Sequence, residues 1–323
     1  MTHAIARDEF IAVRISAWMK ERFPFANALL FFVLYLTSAT VARSISDQSI
    51  QVSLLDLVMC FITWSFFLVI RIFDEHKDYE LDVLNHPERV LQSGQITLHH
   101  LKVLALIAIV FQGGFSVYLD GFTLGTVTLS WLLVFGYLCL MGAEFFCGEW
   151  LEKRLALYAF THMLIMPLII FWLANAAIQS TEFSQVLTPS VYVMMLLAFV
   201  SGFCFEIARK TRGPEEERDT VDSYSKIFGT NGSAYVVMAL TTAMLVSQSV
   251  LLVTLEVVYF WVFFTLLALS YGLAVKQLMA FIKSPSLKAR EKNEAVIAIN
   301  MLLGYLIVIV AALMSHGVTG SIF

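Results

Sequence analysis

Nine stretches of this chain are apolar over about 20 residues each, the length an α-helix needs to cross the hydrocarbon core of a bilayer. They cover 25–43, 54–72, 99–119, 122–142, 155–177, 188–207, 233–254, 257–281 and 295–316. In lipid a segment must satisfy its backbone polar groups internally, so such a chain folds as an all-α polytopic membrane bundle. The composition agrees: 59% of the residues are hydrophobic and 14% charged, against about 25% charged in a soluble domain. Asp120-Gly121 joins the third and fourth runs and Glu256 lies between the seventh and eighth, predicting tight turns. Pro167, inside the fifth run, predicts a kink.

The basic residues test this count. All but one of the 21 fall in alternate connections: the N-terminal segment and the second, fourth, sixth and eighth connections. Arg43 is the exception. By the positive-inside rule those connections are cytoplasmic. The expectation is therefore nine transmembrane helices, N-terminus cytoplasmic and C-terminus outside, in the cell inner membrane, with the chemistry facing the cytoplasm. Residues 1–22 carry Arg7, Arg14, Lys20 and Arg22 among apolar residues, with no small-residue cleavage site. They read as a cytoplasmic N-terminal segment whose residues 8–22 form an amphipathic helix on the membrane surface. No linker separates soluble domains, so 1–323 is expected to be a single membrane domain. Cys60, Cys139, Cys147 and Cys204 show no CxxC spacing, which points to neither a zinc site nor a disulfide framework. No nucleic-acid partner is expected.

The connection after the second run, 71–97, opens with Arg71-Ile72-Phe73-Asp74-Glu75-His76-Lys77-Asp78-Tyr79-Glu80-Leu81-Asp82. On a continuing helix Arg71, Asp74, Glu75, Asp78 and Asp82 fall within an arc of roughly 100°, with Glu80 on the opposite side. Four carboxylates on one stripe repel one another unless a cation holds them, and oxygen ligands favour Mg²⁺ or Ca²⁺. The competing reading is a solvated acidic helix face. The sixth connection, 206–229, echoes the first. With Arg212 set under Arg71, Glu215 falls under Asp74, Glu216 under Glu75, Arg218 under Lys77 and Asp219 under Asp78. Pro214 and the acids after it also suit the start of a new helix. Two such stretches on one membrane side suggest a bipartite cation site. Two Mg²⁺ ions bridged by carboxylates suit a diphosphate, whose remaining oxygens Arg71, Lys77, Arg209, Lys210 and Arg212 can bond.

These residues resemble the UbiA-type intramembrane prenyltransferases. That family has nine spans and a first motif of approximately Asn-Asp-x-x-Asp-x-x-x-Asp. Here it reads Asp74-Glu75-x-x-Asp78-x-x-x-Asp82. Residues 85–97 look like the family's Arg-Pro-Leu-x-Ser-Gly-x-Ile-Ser segment, and Lys153-Arg154 like its Lys-Arg pair before the fifth span. The second motif departs, with Arg209 and Arg212 where two family aspartates fall; Glu206, Glu215, Glu216 and Asp219 are the acids that can substitute. The resemblance implies a Mg²⁺-dependent enzyme that ionises an isoprenyl diphosphate and transfers the prenyl group to a lipophilic acceptor, commonly an aromatic ring. It assigns Asp74, Glu75, Asp78 and Asp82 to one Mg²⁺, and Glu215, Glu216 and Asp219 to the other. Arg71, Lys77, Lys153, Arg209, Lys210 and Arg212 become diphosphate ligands. Glu206 becomes a base or a metal ligand; its competing reading is an ion pair with Arg209 or Lys210.

Two other functions compete: a terpene cyclase on the same scaffold, needing no acceptor, and a non-catalytic transporter or cation-binding protein. His162, inside the fifth run, reads as a backbone-bonded histidine, His99-His100 as an interfacial pair, and Glu144, Glu149 and Glu152 as a solvated loop face.

Overall fold

The computed structural model describes residues 9–44, 50–217 and 222–320. It is almost wholly helical. In chain order the helices are α1 (Ile11–Arg22), α2 (Ala28–Arg43), α3 (Leu54–Lys77), α4 (Tyr79–Asn85), α5 (Leu98–Leu119), α6 (Thr126–Gly142), α7 (Gly148–Glu152), α8 (Leu155–Met163), α9 (Ile165–Ile178), α10 (Phe183–Val186), α11 (Pro189–Arg209), α12 (Tyr224–Thr254), α13 (Phe260–Lys283) and α14 (Leu287–His316). Among the described residues, eight helical segments are long and apolar enough to cross a membrane, α8 and α9 together making one of them. The shorter apolar helix α6 answers to the remaining span.

The differences from the apolar runs have local causes. Helix α6 starts at Thr126 because Asp120, at the end of α5, caps it, accepting from the amides of Val127 (3.2 Å) and Thr128 (2.7 Å). The intervening turn puts Gly121 and Phe122 at positive φ (64° and 63°). The fifth span breaks between Met163 and Ile165, where Pro167 has no N–H to offer the Met163 carbonyl. Helix α14 begins at Leu287, eight residues ahead of the apolar run, with Ser286 capping the Ala289 amide.

Sequence neighbours pack against one another in order, and α14 returns to α2, so the spans form a closed ring. Helix α9 is the most enclosed: Ile169, Ile170, Trp172, Leu173 and Ala174 are fully buried between α2, α6 and α11. Large apolar side chains such as Leu106, Ile107, Val110 and Trp261 point outward, as lipid-facing residues do. At the end away from the acidic stretches, Ile50–Val52 (β1) pairs in parallel with Val318–Gly320 (β2). There Arg43, the one basic residue outside the alternation, donates to both oxygens of Asp56 (2.7 and 3.0 Å). Tyr35 adds its hydroxyl to the same carboxylate at 2.6 Å.

Helices α5 and α6 approach closely at Gly113. A Cβ there would lie 2.7 and 2.9 Å from atoms of the Trp131 ring. Small residues at such crossings let helix backbones come together. Gly113→Val is expected to cost about 1–3 kcal/mol through overpacking, read as a lower midpoint of thermal unfolding in detergent.

Candidate active site

The first acidic stretch does not continue as one straight helix. Helix α3 ends at Lys77, Asp78 leaves helical geometry (φ −89°, ψ 4°), and α4 follows. The i→i−4 ladder nevertheless survives: the Asp78 amide donates to the Asp74 carbonyl (2.9 Å) and the Asp82 amide to that of Asp78 (2.8 Å). The stripe therefore keeps its register.

Its four carboxylates fall into two pairs with different environments. Glu75 is buried, and its Oε1 accepts from Arg22 Nε (2.6 Å) and Arg71 Nε (3.0 Å). Asp82 meets Arg89 at 2.8 Å and Arg22 at 3.4 Å. Arginines thus supply the counter-charge that a cation would otherwise bring to these two acids. Asp74 and Asp78 make no ion pair or side-chain hydrogen bond among the described residues. Burial pushes the Asp78 carboxyl above its ordinary range, partly offset by Lys77 and reinforced by Asp82.

Arg22 belongs to α1, whose Trp18 is fully buried. The helix is fastened to the loop after α4: Arg14 donates to the Gln95 carbonyl (2.9 Å), and Glu21 accepts from the Val90 amide (3.0 Å). It is therefore a strut under the acidic stretch as well as an amphipathic segment. Arg22→Ala is expected to lower stability by about 1.5–3 kcal/mol, the loss of a hydrogen bond to a charged partner, and to speed proteolysis within residues 11–22. Arg22→Lys restores only part of this, since an ammonium lacks the fork that reaches both Glu75 and Asp82.

Lys77, expected as a diphosphate ligand, already has protein partners. It pairs with Glu144 (3.0 Å) and bonds the Tyr158 hydroxyl. Glu144 is therefore not a solvated loop residue; Glu149 and Glu152 are exposed as expected. His162 stacks on Tyr158 with ring centroids 3.9 Å apart and bonds the Tyr158 carbonyl of its own helix (2.8 Å). His100 caps α5 by accepting from the Thr97 amide (3.1 Å). Lys153 is exposed on the rim of a depression of ≈ 650 Å³ with Glu149, Trp150 and Arg154, apart from the acidic stripe.

In the second stretch, both oxygens of Glu206 are engaged, by Lys210 and Arg209, each at 2.7 Å. This is the i+3 and i+4 pairing that a helix end dictates. Glu216 pairs with Arg290 of α14 at 2.8 Å. Glu215 is exposed at the single 3₁₀ turn Pro214–Glu216, and the next long helix starts only at Tyr224. The Arg212 amide donates to Ser225 Oγ (2.6 Å). Asp219 and Arg218 lie outside the described residues. The two stretches meet electrostatically: Asp74 interacts with Arg71, Lys77 and, from the second stretch, Arg209.

The profile of the UbiA prenyltransferase family matches residues 31–302. This chain belongs to the UbiA prenyltransferase family. As a UbiA protein it is a multi-pass membrane enzyme and a transferase of alkyl groups, which removes the non-catalytic transporter from contention. A solved structure described as digeranylgeranylglyceryl phosphate synthase in membranes has the same fold, with a TM-score of 0.64 at 17% identity, covering 94% of this chain and 99% of that one. No curated protein sequence matches.

UbiA enzymes are generally metal-dependent. Among the described residues no three His, Cys, Asp or Glu side chains converge as a metal cage. What they offer is smaller: the two unpaired carboxylates of Asp74 and Asp78, while Glu75, clamped by arginines, keeps its second oxygen buried without a partner. A cage-bound ion such as Ca²⁺, with six to eight oxygen ligands, does not suit that set; an ion that keeps water and phosphate in its shell does. Sequence reasoning missed Arg22, Arg89, Glu144 and Tyr158. No signal in the sequence ties Arg22 to the acidic stretch, whose Glu75 lies 53 residues further on.

Proposed function

We propose that this UbiA protein is a Mg²⁺-dependent prenyltransferase that ionises an isoprenyl diphosphate at Asp74 and Asp78 and passes the prenyl group to a lipophilic acceptor. The observation that carries this reading is that Asp74 and Asp78, unlike Glu75 and Asp82, are held in no ion pair or side-chain hydrogen bond among the described residues, with Arg209 acting electrostatically on Asp74. Mg²⁺ bound there with the diphosphate would neutralise charge on the leaving group. Arg71 and Arg209, both of which act electrostatically on Asp74, would bond the diphosphate oxygens. As the C–O bond breaks, the electron pair leaves with the diphosphate, and these fixed cations stabilise it. The acceptor attacks the allylic cation and releases a proton. Glu206 can take that proton only if Arg209 or Lys210 releases one of its oxygens. Glu215, Glu216 and Asp219 are the candidates for a second ion, Lys153 and Arg212 for outer diphosphate contacts. The basic end of the bundle faces the cytoplasm in this reading, supported by the distribution of Lys and Arg.

The test is a screen of isoprenyl diphosphates of different chain length with the purified protein, following diphosphate release with and without candidate acceptors. Release that needs both Mg²⁺ and an acceptor supports the transferase. Cyclic hydrocarbon from the diphosphate alone would replace it with a terpene cyclase, and full turnover under chelation would end the metal assignment.

A further inference from the structure

Lys77 also borders a cleft of ≈ 530 Å³ between α3, α5 and α6 that the reaction above does not use. Its polar groups are confined to the basic end: His76 and Lys77 in the last turn of α3, and Lys102 near the start of α5. Below them the walls are apolar, among them Phe73, Leu106 and Ile109. Lys102 is exposed and makes no hydrogen bond or ion pair among the described residues. His76 bonds the Ile72 carbonyl through Nδ1 (2.8 Å), and its Nε2 is buried without a partner. A carbonyl only accepts, so Nδ1 carries a proton.

Leu106 also lines a second hollow of ≈ 690 Å³, which continues along α5 past Val110 and Phe115 to Tyr118. From Lys102 to Tyr118 the helix rises about 24 Å at 1.5 Å per residue. That exceeds one leaflet, about half of the ~30 Å hydrocarbon core. Through Leu106 the cleft opens onto this outward face of α5, a furrow cationic at its head and apolar along its length. The cleft between the three helices has a volume typical of a small-molecule site.

We propose that this furrow binds an anionic membrane lipid, its phosphate on Lys102 beside Lys77 and its tail along α5. Charge complementarity selects the occupant: any lipid tail can fill an outward groove, but only an anionic head group answers the unpartnered ammonium of Lys102, to which Lys77 adds a donor beside its bond to Glu144. Lys77 joins this site to Glu144 and Tyr158, so an occupied furrow fixes the connection between α6 and α8 as well.

The experiment uses the full chain in nanodiscs containing equal phosphatidylglycerol and phosphatidylcholine, with the lipid retained by the protein counted by native mass spectrometry. The wild type is expected to retain phosphatidylglycerol over phosphatidylcholine by about fivefold or more, the preference that one lysine at a membrane surface confers. Lys102→Glu is expected to abolish the preference. Ile109→Trp, which fills the cleft without altering charge, is expected to lower retention of phosphatidylglycerol. Lys288→Glu, at an exposed lysine of α14 outside the cleft, should leave it unchanged. Retention at the bulk ratio in the wild type, or an equal loss in Lys288→Glu, would overturn the proposal. The readout involves no turnover, so it stands or falls separately from the prenyl transfer reaction.

Discussion

Replacing Asp78 with asparagine is expected to leave a folded protein whose diphosphate release falls by roughly 10²–10³-fold, the scale on which losing one preorganised electrostatic group slows an enzyme. Asp78 sits where α3 gives way to α4, and its backbone, which asparagine keeps, carries the hydrogen-bond ladder between them. Folding should therefore survive, and an unchanged thermal midpoint beside lost turnover is the informative combination. Asp74→Asn should behave alike. Glu75→Gln should not: Glu75 is clamped by Arg22 and Arg71, so removing its charge leaves two half-buried guanidinium groups short of a partner. Its main effect should appear in stability. Equal losses of turnover in all three variants, without a change in stability, would contradict the division of the stripe into free and paired acids.

The second large effect lies at the opposite end of the bundle. Arg43→Ala strips the cation from Asp56, a carboxylate 2% exposed. Breaking a buried pair by removing one member costs about 3–5 kcal/mol, and the lower end applies because Tyr35 and the Ser53 amide still donate to Asp56. The measurement is thermal unfolding in detergent. Tyr35→Phe and Arg43→Ala combined should lose less than the sum of the two, since both act through one carboxylate. A midpoint unmoved by Arg43→Ala would mean that Asp56 is neutral or solvated when Arg43 is gone.

The nine spans were legible because hydropathy over about 20 residues is a strong signal. Their ends were less so. Hydropathy could not register that Asp120 caps α6 from across a turn, or that α12 and α14 extend beyond the apolar runs through polar turns. In the site, the spacing of Asp74, Asp78 and Asp82 was readable from helix geometry and held through the break at Asp78. The partition of the stripe was not readable. Arg22 reaches Glu75 from 53 residues away, Glu144 reaches Lys77 from a turn between two spans, and contacts of that separation leave no period in a single sequence. Glu206 was readable both ways: its pairing with Arg209 and Lys210 follows from helical spacing alone. The short β-pairing of Ile50–Val52 with Val318–Gly320 had no signal at all, being three residues long on each side.

That pairing has a practical consequence. In a ring built from consecutive helices, the seam between first and last is the one that no loop bridges, and here a backbone zip of three residues fastens it. A purification tag fused directly after Phe323, or a truncation before Val318, would tug on that fastener and let the two terminal spans part. Tags are better carried at the other terminus, behind a spacer that leaves the strut at Arg22 undisturbed.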